Sequence, residues 1–186
     1  MKSTFHTIDY TRMSLLAALI CVSSYIVVPL PISPVPLTAQ SLAVMLAGSL
    51  LSPLQTFFTL ILFIILGAIG LPVFAGGASG PGYLLGPTGG YLAGFLVGAV
   101  VISLMKGNVP GILRFGLANF VGGLVVVYLI GVPRLAYVTG MSLHQAFLVG
   151  GLPFLMGDMI KVFLAAILAW RLAPHLRLQG QRSYSA

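Results

Sequence analysis

Acid is almost absent from this chain: its 186 residues contain two carboxylate side chains, Asp9 and Asp158, against nine lysines and arginines. Charged residues make up 6% of the chain and hydrophobic ones 59%, too little polar surface to cover a water-soluble globule. The composition is that of an integral membrane protein in a lipid bilayer. There is a single cysteine, Cys21, so no intrachain disulfide can form, and His6, His144 and His175 lack the spacing of a zinc or metalloprotease site. We therefore expect no metal, no redox role and no resident cofactor. No nucleophile-and-base constellation stands out, so an enzyme is not expected either. The net charge of +7 is spread too thinly for a nucleic-acid-binding stripe, and the positive-inside rule accounts for it better.

What the chain does have is long apolar runs. They predict an all-α membrane domain over residues 1–186, with six transmembrane helices near 13–30, 37–51, 54–71, 90–105, 112–132 and 153–172. Pro29, Pro31, Pro34 and Pro36 break the chain after the first run and predict an ordered or lid-like loop. Ser52-Pro53 predicts a tight turn between two antiparallel helices. From Phe74 to Tyr91 the glycine density argues against any helix, and brings bare backbone N–H groups and aromatic rings together. That stretch matches neither the Gly-x-x-x-x-Gly-Lys-Ser/Thr phosphate cradle nor a dinucleotide fingerprint, so it offers no route to ATP hydrolysis. Gly90, Gly94 and Gly98 follow at four-residue spacing. In the first run, Ser14, Ala18 and Val22, with Ala17 and Cys21, form a face of small residues that lets another helix approach. Asn119, in the fifth run, reads as an interhelical hydrogen bond.

One pair of residues dominates the functional reading. Asp158 and Lys161 sit at i and i+3 inside an apolar run, so they project from one helix face, where ionisable groups are costly unless they serve a cavity or a partner. Gln40 is either a ligand contact or a tie for the proline loop. Placing the N-terminus inside puts Lys2, Arg12, Lys106, Arg114, Arg171, Arg177 and Arg182 on the inner side and Arg134 alone on the outer loops. Both termini are then cytoplasmic. The proline loop, the glycine-rich loop and the start of the sixth helix converge on the outer side, with Asp158 about 8 Å below the outer end of its helix.

The stretches Gly67–Gly77, Leu85–Tyr91 and Pro153–Lys161 resemble the signatures of BioY, the biotin-specific S component of energy-coupling-factor (ECF) transporters, and the resemblance covers nearly the whole chain. It implies a multi-pass protein of the bacterial cell membrane that binds biotin from outside. It also implies partners, a transmembrane coupling protein and two ATPase subunits, docked through the small-residue face of Ser14, Ala17, Ala18, Cys21 and Val22. The implied ligand contacts are Asp158, Lys161 and Gln40, with Tyr83, Gly86, Thr88, Gly89 and Tyr91 from the glycine-rich segment. In that picture Asp158 accepts from a ureido N–H, while Lys161 donates to the ureido carbonyl or meets the carboxylate tail. The competing class is an autonomous secondary transporter of a small carboxylate or vitamin, with Asp158 and Lys161 as a proton-coupled site.

Overall fold

A computed structural model describes residues 6–107 and 111–183, with the side chains of 175–183 left out of the description. Lys2, the Asn108-Val109-Pro110 joint and the side chains of His175, Arg177 and Arg182 therefore lie outside the described residues. The elements run α1 (Thr7–Ser23), β1 (Val27–Val28), β2 (Leu37–Thr38), α2 (Gln40–Leu50), α3 (Pro53–Ala68), α4 (Pro81–Leu85), α5 (Gly89–Met105), α6 (Ile112–Phe120), a π-helical segment (Val121–Val126), α7 (Val127–Thr139), α8 (Leu143–Gly150) and α9 (Leu152–Ser183).

α1 begins and ends earlier than the 13–30 run suggests. A capping box between His6 and Asp9 starts it at Thr7. At its other end Ser23 and Ser24 donate their hydroxyls to the carbonyls of Ile20 and Cys21, and the chain turns out. The proline loop that follows is an antiparallel hairpin, with Val27 opposite Thr38 and Val28 opposite Leu37. Leu37 and Thr38 thus belong to a strand, and α2 starts at Gln40 rather than 37. Ser52 and Gln55 form a second capping box, and Pro53 at the first helical position launches α3.

α2 is the buried centre of the bundle. It packs on α9, α5 and α1, and its C-terminal carbonyls, left without intrahelical donors, are met from α5: Ser103 donates to Leu51 O at 2.6 Å, and the Lys106 ammonium donates to the carbonyls of Gly48 and Leu51. The glycine row of α5 lets α7 come close. A Cβ on Gly94 would stand 2.9 Å from Val127 Cα, and one on Gly98 only 2.2 Å from Gly122 O in the π-helical segment.

The structure differs from the expected boundaries in four further places. The fifth run does not stop at 132: α6, the π-helical segment and α7 form one 28-residue helix, Ile112–Thr139, that carries Pro133 inside it. Buried Val132, Leu135 and Ala136 hold the backbone through the proline, whose missing N–H helices packed among apolar neighbours tolerate. The expected connection between 133 and 145 shrinks to a turn at left-handed Gly140, after which Ser142 and Gln145 cap α8. The glycine-rich stretch holds a short helix after all, α4, nucleated by Pro81 at its first position. α9 continues past residue 172 to Ser183.

Among the described residues six helical rods have eleven residues or more, and their lengths differ. Ile112–Thr139 and Leu152–Pro174 are long and apolar enough to cross a membrane, whereas Gln40–Leu50, Pro53–Ala68 and Gly89–Met105 are apolar but shorter. At 1.5 Å per residue α2 is about 16 Å long, roughly half a hydrocarbon core.

Candidate functional site

Asp158 sits two turns into α9 and is buried, at 7% exposure. Its carboxylate is held from three directions. Lys161 Nζ donates to Oδ1 at 2.9 Å from the next turn of the same helix, Ser41 Oγ on α2 donates to Oδ1 at 3.4 Å, and Tyr128 Oη on α7 donates to Oδ2 at 2.6 Å. Lys161 Nζ also donates to Thr38 O at 2.7 Å and to Ser41 Oγ at 2.9 Å, which ties the β2 hairpin arm to α9. A largely buried ion pair by itself is a weak stabiliser. Here the network binds four elements, β2, α2, α7 and α9, around one carboxylate.

This network forms the polar end of a cleft. Its walls are Val35, Pro36 and Leu37 from the hairpin, Tyr91 and Phe95 from α5, Gly123 and Val127 from the bent helix, and Phe154 from α9. The space between its walls, open mouth included, is about 410 Å³. A second lobe of about 290 Å³ shares Val35, Pro36, Thr38, Tyr91 and Phe95 with the first, and is lined further by Gln40, Ala75, Tyr83, Thr88 and Leu92. The arrangement gives a mostly apolar slot with polar groups at either end, suited to a small molecule that has a polar head, an apolar body and a polar tail.

The glycine-rich segment is held as the roof of the second lobe. Phe74 is fully buried and stacks on Tyr83 with centroids 5.2 Å apart. Gly67 makes room for it, since a Cβ there would lie 2.1 Å from the Phe74 ring. The backbone N–H groups of Gly76 and Gly80 donate to Ser24 O and Gly67 O, and Tyr25 Oη donates to Pro72 O. These contacts place Tyr83 over the cleft.

The structure places the remaining expected contacts as follows. Tyr83, Thr88, Tyr91 and Gln40 line the cleft. Tyr91 Oη is occupied, donating to Gly150 O at 2.7 Å, so Tyr91 contributes its ring; Thr88 Oγ1 donates to Tyr83 O at 3.4 Å. Gln40 is 2% exposed, and its amide nitrogen donates to the carbonyls of Ile20 and Val73, so it ties α2 to α1 and to the start of the glycine-rich segment. Gly86 and Gly89 lie outside the lining and shape the corner between α4 and α5, where a Cβ on Gly89 would come within 1.7 Å of Leu84 O. Asn119 is remote from the cleft and accepts from Ser49 Oγ at 3.1 Å. The small-residue face of α1 divides: Ser14, Ala18 and Val22 are exposed, whereas Ala17 is buried and Cys21 is partly buried against the core. Among the described residues no cluster of metal-ligating side chains forms.

Tyr128 and Ser41 are site residues that the sequence reading did not select. A signal for Tyr128 was present: it is the one phenol inside the apolar run 112–132, and a buried phenol needs a partner.

Comparison with known proteins bears on this geometry. The profile of the BioY family matches residues 1–178. A protein of Pyrococcus horikoshii named as a probable biotin transporter BioY is 41% identical over 164 residues, covering 88% of this chain and 95% of that one. The biotin transporter BioY of Thermotoga maritima is 38% identical over 161 residues, covering 87% and 93%. Among solved structures, the S-component for biotin from an ECF-type ABC transporter superposes with a TM-score of 0.83 at 28% identity, covering 88% of this chain and 89% of that chain. A family profile that spans nearly the whole sequence, and relatives this similar along most of their length, lead to one conclusion: the chain belongs to the BioY family.

Proposed function

We propose that this protein is the membrane capture subunit for biotin of an ECF-type importer, a transport component and not an enzyme. The observation that carries the reading is the cleft under the hairpin and the glycine-rich roof, which ends on the buried carboxylate of Asp158. Biotin has a ureido head with N–H donors, an apolar bicyclic body and a carboxylate tail. A buried carboxylate suits the head, and the aromatic and aliphatic walls suit the body. The names of the relatives and the likeness to a biotin S-component support capture for an energised module over an autonomous proton-coupled carrier.

In this reading the chain crosses the cell membrane six times, with both termini in the cytoplasm and the cleft opening outward, the orientation the cation distribution favours. The hairpin arm carrying Thr38 is the moving cover. It is tied to α9 through Lys161, so ligand entry has to work against that tie or beside it. The exposed stripe of Ser14, Ala18 and Val22 docks on a transmembrane coupling protein, and two ATPase subunits supply the energy. Uptake of labelled biotin tests the reading: cells lacking their own biotin transport should accumulate it when this chain is expressed with an ECF module. Accumulation unchanged by the chain would refute it.

A further inference from the structure

A second concavity lies on the lipid-facing surface of the bundle, between α6 and α9, and shares no lining residue with the cleft. Leu113 and Phe120 stand on one wall, Phe163 and Ile167 on the other, and every residue that lines it is apolar or glycine. The space between these walls, open face included, is about 810 Å³. Gly116 opens it, since a Cβ there would meet nothing within 4 Å. The walls run from Ile112 to Phe120 and from Met159 to Ile167, each about 12 Å long at 1.5 Å per residue, which is most of one leaflet of a hydrocarbon core about 30 Å thick. The end at Ile112 and Ile167 is electropositive. Phe115 packs among Ala166, Ala169 and Ala173, which brings the first turn of α6 level with the stretch of α9 that carries Arg171. Arg114 and Arg171 are both exposed, and among the described residues neither has an ion-pair or hydrogen-bond partner. The two acids of the chain are committed elsewhere, Asp9 in the cap of α1 and Asp158 in the cleft. Trp170, the one tryptophan, is 45% exposed and lies one turn beyond Ala166 on the same helix face, where a tryptophan marks the headgroup level.

We propose that this groove is a binding site for an anionic phospholipid, with an acyl chain lying between α6 and α9 and the phosphate held by Arg114 and Arg171. In the orientation given above, the lipid belongs to the inner leaflet. Apolar walls alone would not select an occupant. The two guanidiniums do, because each favours an anionic headgroup and its planar fork matches a phosphate. They also argue against a second copy of the chain, since a twofold axis along the membrane normal would bring four arginines to one level. The exposed stripe of Ser14, Ala18 and Val22 is on α1, which packs on α2 and α3, so the lipid leaves that face clear.

Trp170 supplies the readout for the test. The purified chain is reconstituted in phosphatidylcholine bilayers with a rising fraction of phosphatidylglycerol brominated on its acyl chains, and quenching of tryptophan fluorescence gives the affinity of the anionic lipid relative to phosphatidylcholine. Brominated phosphatidylcholine is the reference. The original chain should prefer the anionic lipid by at least about tenfold, the scale of two charge contacts at the membrane surface. Arg114→Gln combined with Arg171→Gln should bring the preference under about twofold. Gly116→Leu, which fills the groove and leaves both arginines in place, should do the same. No preference in the original chain, or a preference that survives either change, would overturn the proposal; survival in Gly116→Leu would mean that the arginines attract anionic lipid without a groove. Trp170 left unquenched in fully brominated bilayers would overturn it as well, because protein would then cover the groove. The arginine arm stands should Gly116→Leu not fold.

Discussion

Replacing Lys161 by methionine keeps an unbranched chain one atom shorter and removes its charge and its three hydrogen bonds. Asp158 is then left ionised with only Ser41 and Tyr128 as donors, and Thr38 O loses its link to α9. Breaking a buried ion pair from one side costs about 3–5 kcal/mol. The two side chains here are 14% and 11% exposed, so water screens part of the stranded charge and places the loss near the lower bound, about 3 kcal/mol. For a chain of this size that corresponds to a melting temperature lower by roughly 6–12 °C. Changing Asp158→Asn in the same chain removes the stranded charge while leaving an amide oxygen for Tyr128, and should return the stability to within about 1 kcal/mol of the original. Biotin binding should not return with it, because the carboxylate is gone. Thermal melting of the two single variants and the double variant in one detergent, with biotin affinity measured on each, completes the cycle. A Lys161→Met protein that melts like the original would refute the reasoning about the pair. A double variant as unstable as Lys161→Met would show that the loss came from releasing Thr38 and the hairpin rather than from the charge.

Two other predictions follow from the placement of α1 and of the loops. Ala18→Trp, on the exposed stripe, should abolish co-purification with an ECF coupling protein while leaving biotin affinity and melting unchanged, whereas Ala17→Trp, directed into the core, should lower the melting temperature or prevent folding. Cysteines placed at Ser79 and at Ser183 in a Cys21→Ala background should react with an impermeant maleimide from opposite sides of the membrane, and same-side reaction would contradict the outward cleft.

The features legible in the sequence were those that a single helix expresses on its own. Asp158 and Lys161 share a face because of their i, i+3 spacing, and the structure has them ion-paired. The expected 90–105 helix is off by one residue from α5, because Gly89 and Lys106 are bounded locally. The features that were not legible depend on a partner distant in sequence. Tyr128 gains its meaning only when α7 is laid against α9, thirty positions away. The β1–β2 pairing depends on the prolines between Val28 and Leu37 folding the chain back, which their spacing does not announce. Pro133 ends a helix by local rules, yet the packed neighbours of α7 carry the helix through it. α4 forms within the glycine-rich segment where Tyr83 stacks on Phe74, a contact visible only once that segment has folded back on itself.

The most direct test of the central claim is equilibrium binding of biotin to the detergent-purified chain alone, without an ECF module, measured side by side for the original protein and for Asp158→Asn. The account predicts saturable one-to-one binding by the original chain and at least about tenfold weaker binding by a folded Asp158→Asn variant. Equal affinity in the two proteins, or no binding by the original chain, would contradict it.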